Sequence, residues 1–125
     1  MNATSTHRLL SAANGATALL GRLNLAELPA LATLQIGQNH RDGWKTGVTA
    51  QLTSYGLSEL EQIDAIRTWA VALGGVLRLD DKDYPDGDET HRNLAAVAVL
   101  PDGSLFEVWI FLYRASVPAS DLVTA

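Results

Sequence analysis

Cysteine is absent from the 125 residues. Disulfides, zinc–thiolate sites and cysteine nucleophiles are thereby excluded, and the composition fits a reducing, cytoplasmic compartment. Long apolar runs are missing as well. No stretch approaches the roughly 18 apolar residues of a membrane span. Leu9-Leu10 is followed too soon by Asn14-Gly15 to form the apolar region of a signal peptide. A soluble protein without a membrane partner is expected. The nine Lys and Arg residues (Arg8, Arg22, Arg41, Lys45, Arg67, Arg78, Lys82, Arg92 and Arg114) are scattered and form no stripe. Neutralising a phosphate backbone takes clustered cations, so no nucleic-acid partner is expected.

Motifs with chemistry are equally scarce. His7, His40 and His91 are far apart, with no His-x-x-x-His or His-x-Glu spacing, so no metal and no cofactor are expected. There is no Gly-x-Ser-x-Gly. Gly15 and Gly21 are one residue too far apart for a phosphate-binding loop, and Leu follows Arg22 where Ser or Thr is needed. No catalytic residue can be assigned.

What is present begins with a local concentration of charge. Asp80-Asp-Lys-Asp-Tyr-Pro-Asp-Gly-Asp-Glu89 holds six of the 14 acidic residues and one Lys. Its net charge of −5 equals that of the whole chain, so the remainder is neutral. A calcium loop of the EF-hand type would place Asp at positions 1, 3 and 5 and Gly at 6. Here Asp81, Asp83, Asp86 and Gly87 are one residue out of register, and Arg92 stands where the bidentate Glu belongs. A solvated acidic turn is the expected reading.

Hydrophobic spacing predicts the order α-ββ-α-βββ. Leu9, Ala13, Ala16, Leu20 and Leu23 recur at helical spacing over 6–24, with a possible break at Asn14-Gly15. Two half-buried strands alternate over 31–37 and 45–54. The polar connection between them carries His40, Arg41, Asp42 and Trp44. Ser58-Glu-Leu-Glu61 is a capping box. It opens a helix with Leu60, Ile63, Ile66, Trp69, Ala70 and Leu73 on one stripe, stopped by Gly74-Gly75. A strand over 76–80 follows the helix. The expected architecture is a single α+β domain of two layers, with a five-stranded, mostly antiparallel sheet and the 58–74 helix across one face. Residues 1–5 and 114–125 are expected to be flexible ends.

The last hairpin is the most specific feature. Asn93–Leu100 and Ser104–Tyr113 flank Pro101-Asp102-Gly103, a type I turn with a left-handed Gly closing the bulge. That turn sets Leu100 opposite Ser104, Val97 opposite Glu107 and Ala95 opposite Trp109. Phe106, Val108, Ile110 and Leu112 then share one face. Leu105, Glu107, Trp109, Phe111 and Tyr113 share the other. Each aromatic buries about 150–250 Å² when covered, so this second face needs a cover. The candidates are the N-terminal helix, a second copy packed sheet to sheet, another protein, or an apolar ligand.

The run Ile66-Arg-Thr-Trp-Ala-Val-Ala-Leu-Gly-Gly75, with a following strand and a hairpin ending Phe106-Glu-Val-Trp-Ile110, resembles small proteins encoded by actinobacterial phages and integrative elements. The resemblance spans residues 58–112 and implies a role such as inhibiting or adapting a host protein. It carries no site residues. The leading expectation is a non-enzymatic protein–protein interaction module, a homodimer acting through Glu107, Trp109, Phe111 and Tyr113. The runner-up is a small-molecule-binding domain with a pocket between sheet and helix. A small enzyme using the His40-Arg41-Asp42 loop beside Trp44 comes third. A pocket would favour the second and third readings, and a flat surface the first.

Overall fold

The computed structural model describes residues 2–80 and 92–112. The acidic segment from Asp81 to Glu89, with the calcium question, and Tyr113 lie outside the described residues. The elements are α1 (Asn2–Gly21), β1 (Leu31–Asn39), β2 (Lys45–Leu52), α2 (Glu59–Leu73), β3 (Val76–Asp80), β4 (Arg92–Val99) and β5 (Leu105–Leu112). Short 3₁₀ turns occupy Leu25–Glu27 and His40–Asp42. The sheet has five strands in the order β1-β2-β5-β4-β3. Three pairings are antiparallel, and the β2–β5 seam is parallel. The fold is a single α+β domain.

Local chemistry accounts for each boundary. The Ser58 hydroxyl accepts from the Glu61 amide, and the Glu61 carboxylate accepts from the Ser58 amide, closing the box that opens α2. Gly74, at φ 64°, ends it. At the β4–β5 turn, the Leu100 amide donates to Ser104 O and the Gly103 amide to Leu100 O. The pairs Val97–Glu107 and Ala95–Trp109 follow in the expected register.

Both helices pack on the same face of the sheet. Ala12 and Ala16 of α1 and Ile63, Ile66, Trp69 and Leu73 of α2 join one cluster with Val48, Ala50, Leu52, Leu94, Phe106, Val108 and Ile110. α1 lies over β1 and β2, and α2 over β3, β4 and β5. Of the four covers expected for the Trp109 side, the N-terminal helix is ruled out, because α1 sits on the opposite side of the sheet. Its buried stripe is made of small residues, which allow close approach to β2.

α1 also runs unbroken through Asn14-Gly15. A Cβ at Gly15 would stand 3.4–3.5 Å from Leu100 and Pro101, so the helix touches the β4–β5 turn there. That packing offsets the roughly 1 kcal/mol that Gly costs a helix relative to Ala. A second correction concerns Leu60, which is 63% exposed. At 100° per residue it stands about 120° around α2 from Ile66, outside the buried stripe. Ala65 is buried on that stripe instead. The Trp69 indole N–H donates to Pro29 O at 2.9 Å and fastens α2 to the segment that leads into β1.

Candidate binding site

The face of the sheet turned away from the helices bears a cavity. Alternation places Gln35 of β1, Thr49 and Gln51 of β2, Glu107, Trp109 and Phe111 of β5, and Asn93 of β4 on it. Gln35, Thr49 and Glu107 form one cross-strand row, Gln51 and Trp109 the next, and Asn93 and Phe111 a third. Asn39, His40 and Arg41 wall one end. Together these residues line a cavity of about 480 Å³.

Glu107 organises the floor. Its side chain is 3% exposed and accepts a bidentate pair of hydrogen bonds from Arg78, Nη1 to Oε1 at 2.7 Å and Nη2 to Oε2 at 2.9 Å. Arg78 is on β3 and Glu107 on β5, so the guanidinium crosses β4. The small Ala95, directly beside Arg78 in the register, leaves room for it. Asn39 Nδ2 donates a third bond to Glu107 Oε2 at 2.9 Å. Three donors from two other strands thus converge on this one carboxylate and hold it in place.

Asn39 ties the loop to this floor. Its Oδ1 accepts from the Arg41 amide at 3.0 Å, and its carbonyl accepts from the Trp44 amide at 2.8 Å. The side chain reaches Glu107 past the Gly37–Gly47 pair, where that face bears no side chains. Gly47 is required there, since a Cβ would stand 2.9 Å from the Leu105 carbonyl oxygen. One residue thus fixes both the His40–Asp42 turn and the buried carboxylate.

Among the described residues, one buried side-chain acceptor is left over. Asn93 is 3% exposed, and its Oδ1 has no hydrogen-bond partner among the described residues. A buried acceptor without a donor costs about 1–3 kcal/mol. Above it stand Trp109 and Phe111, both half-buried. The cavity therefore combines a planar apolar wall, amide and hydroxyl groups, and one acceptor awaiting a donor.

No family model matches this chain, and comparison with curated proteins and with solved structures yields no match.

Of the residues singled out by sequence, Glu107, Trp109, Phe111, His40 and Arg41 meet in this cavity. Asp42 and Trp44 do not line it. Trp44 faces a separate groove with Arg8, Leu9 and Ile36 on the helix side, with its ring centroid 5.8 Å from that of His40. Sequence reasoning missed Gln35, Asn39, Thr49, Gln51, Arg78 and Asn93. Their signal was strand parity, since each sits on the outward phase of an alternating strand. Arg78 in particular shares the open face with Glu107, the residue of opposite charge. Among the described residues, no group of three His, Cys, Asp or Glu side chains is placed to hold a metal ion. No helix among them is long and apolar enough to cross a membrane.

Proposed function

We propose that the protein is a non-enzymatic binding module that takes a small molecule on the open face of its sheet. The ligand would have a planar apolar part against Trp109 and Phe111 and an N–H or O–H donor for Asn93 Oδ1. The observation that carries this reading is the buried Asn93 acceptor, without a donor among the described residues, in a cavity of about 480 Å³. That volume is within the range of about 300–1,000 Å³ typical of small-molecule sites. The cavity favours a compact ligand over the flat sheet-to-sheet contact expected from β5 alone. On this reading the site is on the helix-free face rather than between sheet and helix.

An amide-resolved NMR screen with planar amide and lactam fragments tests the reading. Binding fragments should shift the resonances of Gln35, Thr49, Gln51, Asn93 and the Trp109 indole together. Trp109→Ala and Asn93→Leu should each weaken binding at least about tenfold, the loss of one aromatic contact or one buried hydrogen bond. Fragments that bind only elsewhere, or equally well to both variants, would remove the basis of the proposal.

A further inference from the structure

The two edges of the sheet are built differently. β3 has five residues and is guarded by its shortness. β1 has nine residues, Leu-Ala-Thr-Leu-Gln-Ile-Gly-Gln-Asn, with no charge and no proline. Its only irregularity is a register shift between Leu31 and Thr33, so the stretch from Thr33 to Asn39 is regular. An edge strand with free N–H and C=O groups invites pairing, and proteins ordinarily block it with charge, proline, bulges or short length. The central part of β1 carries none of these. Its helix-side residues Leu34 and Ile36 are 50% and 42% exposed, so α1 leaves both uncovered.

We infer that β1 is a homodimerisation edge, pairing antiparallel with β1 of a second copy about a two-fold axis at Gln35. In any isologous antiparallel pair the residues flanking the axis face one another. An axis at Gln35 sets Leu34 of each copy opposite Ile36 of the other, and directly opposed residues share a face. The two exposed aliphatics thus meet their counterparts in one four-residue apolar cluster on the helix side. An axis at Ile36 would set Leu34 opposite Gln38, and an axis at Leu34 would set Ile36 opposite the smaller Ala32. The uncharged strand meets its own copy without like-charge repulsion. Gln35 and Gly37 also border the open-face cavity, so the second copy would extend its outer rim.

The size of the contact sets the affinity. Nine residues at about 3.4 Å each make an edge about 30 Å long. The interface is then well below the roughly 800 Å² per partner of tight complexes and belongs with the weak, transient class. Light scattering on the full chain should therefore show the average mass rising from one chain toward two between about 1 μM and 1 mM. Leu34→Lys should keep the chain monomeric throughout, with circular dichroism and melting temperature unchanged because the site is exposed.

The absence of native cysteine allows a sharper test. At the two-fold axis the residue-35 Cα atoms would be about 4.5–5.5 Å apart, within disulfide reach. Gln35→Cys should form a covalent dimer under mild oxidation. Thr33→Cys, whose copies would be about 13 Å apart, should not. A wild-type chain that stays monomeric at 1 mM overturns the inference. So does a dimer that survives Leu34→Lys, or one that cross-links as readily through position 33 as through 35.

Discussion

β5 shows its two faces to two environments, and the same eight residues solve the two problems differently. Toward the helices, Phe106, Val108, Ile110 and Leu112 are 0–3% exposed and belong to the apolar core cluster. Toward the open side, Glu107 is as deeply buried, yet it is held by Arg78 and Asn39 beside half-buried Trp109 and Phe111. The helix side is close-packed and non-directional, stabilised in proportion to area. The open side is directional, and each partner's value depends on the others being present. A face built that way specifies a shape rather than maximising stability, as a binding surface requires.

Substitutions on each face can test this contrast. On the helix side, Phe106→Ala should cost about 3–5 kcal/mol by leaving a cavity. A loss under about 1 kcal/mol in chemical denaturation would mean that the β5 core face is not close-packed. On the open side, Arg78→Ala should cost about 3 kcal/mol by stranding the buried Glu107 carboxylate. The double change Arg78→Met with Glu107→Met should recover most of that loss, because no charge is left unpaired. Equal losses for single and double variants would show that the pair stabilises by packing alone.

Asn93→Leu should behave in the opposite sense from any helix-side change. It removes an acceptor that has no donor among the described residues, so the melting temperature should hold or rise, while fragment binding to the cavity falls. A destabilisation of more than about 2 kcal/mol would mean that Oδ1 is satisfied after all.

The smallest effect belongs to neither face. Asp102 accepts from the hydroxyl and the amide of Ser104, and these bonds hold its carboxyl below the usual range. A pKa lower in the folded than in the unfolded chain adds stability that is present above the ordinary carboxylate value of about 4. That increment is lost as pH falls through the folded value. Ser104→Ala should therefore lower stability slightly at pH 7 and converge with wild type in strong acid. Parallel acid limbs for the two proteins would count against it.

The legible parts of this fold were those set by neighbouring residues. Pro101-Asp102-Gly103 dictates the β4–β5 register, and with it which side chains of β5 face together. Ser58 and Glu61 mark the start of α2 without any tertiary information. The side of the sheet chosen by α1 was not legible, because a stripe such as Ala12 and Ala16 records that a helix is buried and not against which of two apolar faces. The candidate site was half legible. Trp109 and His40 drew notice as residues, but their meeting depends on β2 docking beside β5. Asn39 and Arg78 meet Glu107 only once three or four strands are aligned, and no neighbouring residue marks Asn93 as buried.

The parallel seam has a consequence for how the molecule comes together in time. Val48 pairs with Phe106, 58 positions further along, whereas the β1–β2 and β4–β5 hairpins close locally. Distant pairings form late, because chain closure must precede the contacts that reward it. The Asn39–Glu107 bond spans that seam, so it should be absent when the barrier is crossed. Asn39→Ala should then speed unfolding and leave the refolding rate nearly unchanged, which stopped-flow kinetics would register. A slowed refolding limb would instead place the joining of the two hairpins at the start of the pathway. On this order of events the cavity is the last part of the protein to exist and the first to be lost.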